Sequence, residues 1–297
     1  MDVKDYRKRY EADLAAHAAS TAASLRPSGV AAAAAVVDAT QQRLMEIKRV
    51  PSDRADLSKK IQALLATLGN EKEPTVVRLA ALKALGAATF LGENFAPYHA
   101  DYLNTLRQIA RPGTDPQLCE AALGVLAAEK DPDTQKLLQR GLQDAKFALV
   151  PPAKALQLLS YDDHANISEL ALSLFNQTDD LGVKEAALRV LATDAKSQDL
   201  FAKLLEDKSQ PVSLRTLSAT GLNFLNPQRF ADVARTIVMD DSESEDIRDS
   251  SLGALASAPD NRALQDDSGF HDRVKELGAD NSLKDLSVAA RRMIAKP

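Results

Sequence analysis

The chain repeats one amphipathic pattern several times along its length. The clearest copies are TVVRLAALKALGA at 75–87, QLCEAALGVLAA at 117–128, VKEAALRVLAT at 183–193 and DIRDSSLGALAS at 246–257. Each copy predicts one helix, with small residues followed by leucines three residues apart. Self-similarity at a period of about 30–40 residues is typical of repeat proteins, in which each helical unit buries its apolar face against its neighbours.

The composition favours helices that pack closely. Hydrophobic residues make up 45% of the 297 residues, but aromatic residues only 4%, and the chain has no Trp. Small side chains let helices approach one another, and 12 Gly and 13 Pro are too few for a chain of tight β-turns. The sequence therefore predicts an all-α fold, and the repeats predict a solenoid of about eight helix pairs.

The copies can be aligned on a central leucine. A second apolar column lies three residues after the central position, and Thr220 falls in it. In a final copy at 285–295, Arg291 falls in the central column. Small residues precede the central position in most copies, which predicts that a neighbouring helix crosses there. The central column reads Leu82, Leu123, Leu156, Leu188, Leu217 and Leu252.

The first part of the chain differs from the repeats, and we expect two regions, 1–54 and 55–297. A first helix is predicted over about 2–25, with Tyr6, Tyr10 and Leu14 on one stripe. It either caps the open end of the repeats or serves as a docking arm for a partner. An Ala-rich helix is predicted to follow over about 30–49.

The segments PTVVRLAALKALG at 74–86, LGVKEAALRVLA at 181–192 and EDIRDSSLGALA at 245–256 resemble the HEAT repeat, in its short, PBS-lyase-like bacterial variety. The resemblance covers roughly residues 70–297 and implies an armadillo-type α-solenoid, which is a right-handed α–α superhelix. It also implies a ladder between neighbouring repeats, with an acid in the turn and a base early in the second helix. The matching acids are Asp207, Asp241 and Asp280, and the matching bases are Arg78, Lys184 and Arg248. The base is missing at Cys119, Pro152, Ser213 and Ser287.

The residues that could support catalysis are sparse. None of the four histidines stands four residues from another, and no His-Glu dipeptide occurs, unlike in the HEAT-like deoxyhypusine hydroxylases. His164 lies beside two aspartates in a predicted turn, and Asp267 with His271 could supply two metal ligands but no third. Cys119 is the only cysteine and is predicted to be a buried structural thiol. We expect no catalytic residues, no metal site and no cofactor.

The residue after each central leucine is a candidate for the open face of the repeats. That column reads Lys83, Gly124, Gln157, Arg189, Ser218, Gly253 and Arg292. Three bases in a chain of net charge −5 do not make a phosphate-binding track, so nucleic acid is not the expected partner. The column favours a protein or peptide, and the expected partner-binding residues are Lys83, Gln157, Arg189 and Arg292. The acidic run at 239–249 is either a patch for a basic partner or a solvated turn.

Together these features predict a non-catalytic scaffold or adaptor that binds a protein partner on the concave face of a HEAT-like solenoid. The alternative is an enzyme or enzyme subunit of the PBS-lyase-like HEAT group, acting on a chromophore or a protein side chain near Asp267 and His271. The charged N-terminus lacks the apolar core of a signal peptide, so we expect a cytoplasmic monomer without membrane insertion.

Overall fold

The computed structural model describes residues 30–51, 53–162, 167–257, 267–280 and 283–295. The predicted first helix with Tyr6, Tyr10 and Leu14 lies outside the described residues, as does His164. Within the described part the chain forms α-helices joined by turns and short 3₁₀ segments, and it contains no β-strand. The predicted all-α class is confirmed.

Fifteen α-helices occur in the described part of the chain. They are α1 (Val30–Lys48), α2 (Arg54–Gly69), α3 (Thr75–Ala88), α4 (Ala96–Ile109), α5 (Pro116–Ala128), α6 (Pro132–Gln143), α7 (Pro152–Leu159), α8 (Ser168–Gln177), α9 (Leu181–Leu191), α10 (Gln198–Glu206), α11 (Val212–Leu225), α12 (Pro227–Met239), α13 (Glu245–Ser257), α14 (Ser268–Ala279) and α15 (Lys284–Ile294).

The helices belong to two compact units, residues 1–165 and residues 166–297. In the first unit, α2–α3, α4–α5 and α6–α7 form antiparallel hairpins, and α1 packs on α3. The second helices α3, α5 and α7 lie side by side in chain order. The predicted boundary between residues 54 and 55 stays a prediction.

The described residues of the second unit follow the same plan, with the hairpins α8–α9, α10–α11, α12–α13 and α14–α15. Its second helices α9, α11, α13 and α15 pack in sequence, and α10, α12 and α14 form the other layer. Each unit therefore has a layer of first helices and a layer of second helices, with the leucine columns between them.

Side-chain caps fix where many of these helices begin. An Asp or Asn immediately before the helix accepts a hydrogen bond from a backbone N–H of the first turn, which would otherwise lack a partner. Several helices also start with Pro, whose missing N–H costs nothing at that position. The capping residues are Asp53, Asp115, Asp131, Asp180, Asn226 and Asp267.

The small-residue column is the most constant feature of the second helices. Its side chains are at most 3% exposed, so each lies where a neighbouring helix crosses. The column consists of Ala81, Ala122, Ala155, Ala187, Ser218, Ser251 and Ala290.

The predicted alignment of α11 is wrong by two residues. Leu214, Ser218, Ala219 and Leu222 are buried, whereas Leu217 is only half-buried and Thr220 is exposed. Ala219, not Leu217, therefore stands in the central column. The leucine was a misleading marker because an alanine fills that place in this helix.

The segment Thr75–Asn94 has the length and mean hydropathy, 1.4 in its most apolar window, of a membrane span. In the structure it is not one continuous helix, because α3 ends at Ala88 and Gly92 takes a positive φ of 56°. Val77, Ala81, Leu82 and Leu85 are buried against neighbouring helices. Val76, Phe90 and Leu91 of the same segment are exposed, so packing in the hairpin stack accounts for only part of its apolar character.

Candidate functional site

The predicted partner-binding residues all lie on the exposed side of second helices. Lys83 on α3 and Gln157 on α7 belong to the first unit, and Arg189 on α9 and Arg292 on α15 belong to the second. Ser218, the α11 member of the predicted column, is fully buried. After the correction of the alignment, the exposed Thr220 takes its place.

Two glycines of this column have room for a side chain. A Cβ built on Gly124 or on Gly253 meets no neighbouring atom within 4 Å in the described part of the structure. Gly221 is different, because its Cβ would lie 2.9 Å from the Phe201 ring. Packing among the described residues therefore requires glycine at 221 but not at 124 or 253, where glycine weakens the helix.

The charges on the column are only partly neutralised by neighbours. Arg189 Nη2 lies 3.5 Å from the Glu185 carboxylate, one turn earlier on α9. Arg292 lies near Asp249, whose pKa is raised by burial and by the nearby carboxylates of Asp285 and Asp246. The second unit thus offers both signs of charge at this end of the column.

A second polar feature lies at the turns within the hairpins. There, an arginine of the second helix binds both the preceding helix and the turn of the next hairpin. Arg215 Nε donates to the Leu205 carbonyl at 2.9 Å, at the end of the preceding helix. Its Nη1 and Nη2 donate to the two oxygens of Glu243, at 2.8 and 2.5 Å, in the turn of the next hairpin. The hydrogen bonds from Arg215 lower the pKa of Glu243, and both side chains are at most 4% exposed.

The acidic run at 239–249 is largely used inside the protein. Lys208 Nζ donates to Asp240 at 2.5 Å, and Arg273 pairs with Asp241, which also lies 3.4 Å from Arg248. With Glu243 bound by Arg215, three acids of this run hold bases of neighbouring elements. Glu245 and Asp246 of the same run are exposed, and a role of the run as a patch for a basic partner stays a prediction.

The other residues of the predicted ladder have local contacts. Asp207 accepts hydrogen bonds from the backbone and the hydroxyl of Ser209, and Asp280 ends α14. Lys184 lies 5.6 Å from the centre of the Phe175 ring. Arg78 Nε donates to the Leu68 carbonyl at 2.9 Å, as Arg215 does to Leu205. An alignment on the small-residue column would have identified Arg215 as the base that seemed to be missing at Ser213.

A cleft of about 520 Å³ lies at the turns of the first two hairpins. Its polar wall includes Glu71, Glu73, Arg78, Gln108, Arg111, Thr114 and Asp115. Arg111 pairs with Glu71 across the two turns. Apart from Arg78, no sequence pattern predicts this cleft, because it forms between turns some 40 residues apart.

In the predicted pair of Asp267 and His271, the aspartate has a structural role. The Asp267 carboxylate accepts from the Phe270 N–H at 3.0 Å as a helix cap and pairs with Arg235 Nε at 2.5 Å. The hydrogen bond from Arg235 lowers the pKa of Asp267. No group of three or more His, Cys, Asp or Glu side chains within the described residues is placed to hold a metal ion.

Cys119 lies on the buried face of α5 and is 2% exposed. Burial raises the pKa of its thiol to about 11. The thiol is therefore protonated near neutral pH and fills space in the core, as an apolar side chain would.

No protein-family model matches the chain, and no curated protein matches it. Among solved structures, human deoxyhypusine hydroxylase in complex with glycerol aligns with 80% of this chain and 97% of its own. The identity is 14% and the TM-score is 0.35. A match this weak carries no argument about function.

Proposed function

We propose that this protein is a HEAT-like, non-catalytic scaffold that binds a protein partner across the exposed side of its second helices. The proposed contact residues are Lys83 and Gln157 on second helices of the first unit, and Arg189 and Arg292 on second helices of the second unit. Alternating charged, polar and small side chains suit a polypeptide partner better than a nucleic acid.

The open glycines Gly124 and Gly253 carry this proposal. Glycine inside a helix costs about 1 kcal/mol relative to alanine, and no described neighbour requires it at these two positions. Glycine commonly marks a place where another backbone approaches closely. Both glycines lie in the column that the long side chains of Lys83, Gln157, Arg189 and Arg292 occupy on other second helices.

The test is affinity capture with crosslinking from the native cell extract. The wild-type chain is compared with the double variant Gly124→Arg/Gly253→Arg, which places two long side chains on the proposed surface. The control is Ala63→Arg, at an exposed position of the first-layer helix α2. We expect a defined protein that is recovered by the wild type and by the control but lost with the double variant.

Circular dichroism establishes that all three proteins keep the same helix content. Recovery of the same proteins by all three would contradict the proposed surface. Failure of the wild type to recover any protein would contradict the scaffold function itself.

A further inference from the structure

Arg78, in the hairpin α2–α3, has a counterpart in Arg215, and the contacts of Arg215 indicate which group Arg78 can bind. Arg78 and Arg215 occupy the same place in their helices, each ten residues after the carbonyl to which its Nε donates, at 2.9 Å in both cases. The other two nitrogens of Arg215 donate hydrogen bonds to the two oxygens of Glu243. No described carboxylate pairs with the guanidinium of Arg78, which faces the cleft between the turns.

The reason lies in the next turn. Glu243 stands five residues before Arg248, and the corresponding position, five residues before Cys119, is Thr114. The turn that contains Thr114 is also one residue longer than those before α3, α11 and α13, and its Gly113 takes a positive φ of 85°. The following hairpin therefore supplies no acid to Arg78 and leaves a cleft where the acid would be.

The acids that line the cleft are already engaged. Glu73 pairs with Arg43 at 2.6 Å, Glu71 pairs with Arg111, and Asp115 caps α5 by accepting from the N–H groups of residues 117 and 118. Burial and the nearby charge of Arg111 lower the pKa of Arg78, although Glu71 and Asp115 oppose this effect. Arg78 is thus half-buried, and its two terminal nitrogens have no partner among the described side chains.

We propose that this cleft is a binding site for a carboxylate, supplied by an acidic side chain of a partner polypeptide. The carboxylate would accept two parallel hydrogen bonds from Arg78, in the manner of Glu243 with Arg215. Thr114, Gln108 and Thr75 line the cleft and offer further donors. That the carboxylate comes from a protein rests on the proposed scaffold function, but the site itself can be tested with small probes.

The experiment follows the arginine Nε–H signals of the full chain by NMR during a titration with sodium acetate at constant ionic strength. The Arg78 signal is assigned by its loss in Arg78→Lys. We expect a saturable shift of this signal with a dissociation constant in the millimolar range. The Arg215 signal is the internal control and should not move, because its donors are already occupied.

Two matched variants at position 114 test whether an acid there competes with acetate for Arg78. Thr114→Glu restores an acid at the position that corresponds to Glu243, so the Arg78 signal should start out shifted and no longer respond to acetate. Thr114→Gln has a similar size without the charge and should respond like the wild type. Because these variants leave the Nε contact of Arg78 with Leu68 in place, they test the site without removing that link.

Three results would overturn the proposal: a shift that grows linearly without saturation, equal shifts of Arg78 and Arg215, or a response to acetate that persists in Thr114→Glu. Further arms compare N-acetyl-glutamate amide with N-acetyl-glutamine amide and with inorganic phosphate. A preference for the glutamate derivative supports an acidic side chain as the ligand. Tighter binding of phosphate would reject the carboxylate assignment.

Discussion

At the scale of single residues, the Arg215–Glu243 pair is the contact whose loss should cost most. Both side chains are almost completely buried, and the carboxylate takes two hydrogen bonds from the guanidinium. Removing one charge leaves the other buried without a partner, which costs about 3–5 kcal/mol. We expect Glu243→Gln to lower the free energy of unfolding at pH 7 by about 3 kcal/mol, measured by urea denaturation. The exposed neighbour Glu245 provides the control, since Glu245→Gln should change it by less than about 0.5 kcal/mol.

The pH dependence of this loss has a defined sign. Because the folded-state pKa of Glu243 lies below its usual value, the pair stabilises the protein above the unfolded-state pKa, about 4.3 for glutamate. That contribution disappears as the pH falls through the folded-state pKa. The difference in stability between the wild type and Glu243→Gln should therefore be constant from about pH 7 to pH 5 and shrink below about pH 4. A difference that grows in acid would contradict the assigned role of the pair.

At the scale of helices, three glycines on second helices should respond to alanine in opposite directions. Gly221→Ala would push a Cβ to within 2.9 Å of the buried Phe201 ring, and overpacking of this kind costs about 1–3 kcal/mol. The new methyl group of Gly124→Ala or Gly253→Ala meets no described atom within 4 Å, and each change removes a poor helix former. Each should stabilise the protein by about 0.5–1 kcal/mol. The shift of the urea midpoint measures all three, and a loss of stability in Gly124→Ala would mean that packing requires this glycine.

The same helices show what can be predicted from one sequence. The buried columns of α3, α5, α9 and α13 can be predicted from the spacing of small residues and leucines, because burial restricts which side chains fit at those positions. The alignment of α11 failed because Phe201 lies against Gly221 and Ala219 stands where other helices have leucine. The Arg78 cleft could not be foreseen, since it depends on a turn one residue longer than its counterparts and on pairings between distant turns.

At the scale of the whole molecule, the two compact units should each fold on their own. In a repeat protein, stability is approximately the sum of the stabilities of the individual hairpins and of the contacts between adjacent ones, and at least about three repeats are needed for a stable core. The described residues of the first unit form three hairpins with α1 packed on α3, and those of the second form four, joined through α9, α11, α13 and α15. We therefore expect the separate fragments 1–165 and 166–297 to keep their helical circular dichroism and to unfold cooperatively in urea. The Glu243→Gln loss should appear undiminished in fragment 166–297, because Arg215 and Glu243 both lie in that unit. A fragment without a cooperative transition would mean that its hairpins depend on the rest of the chain.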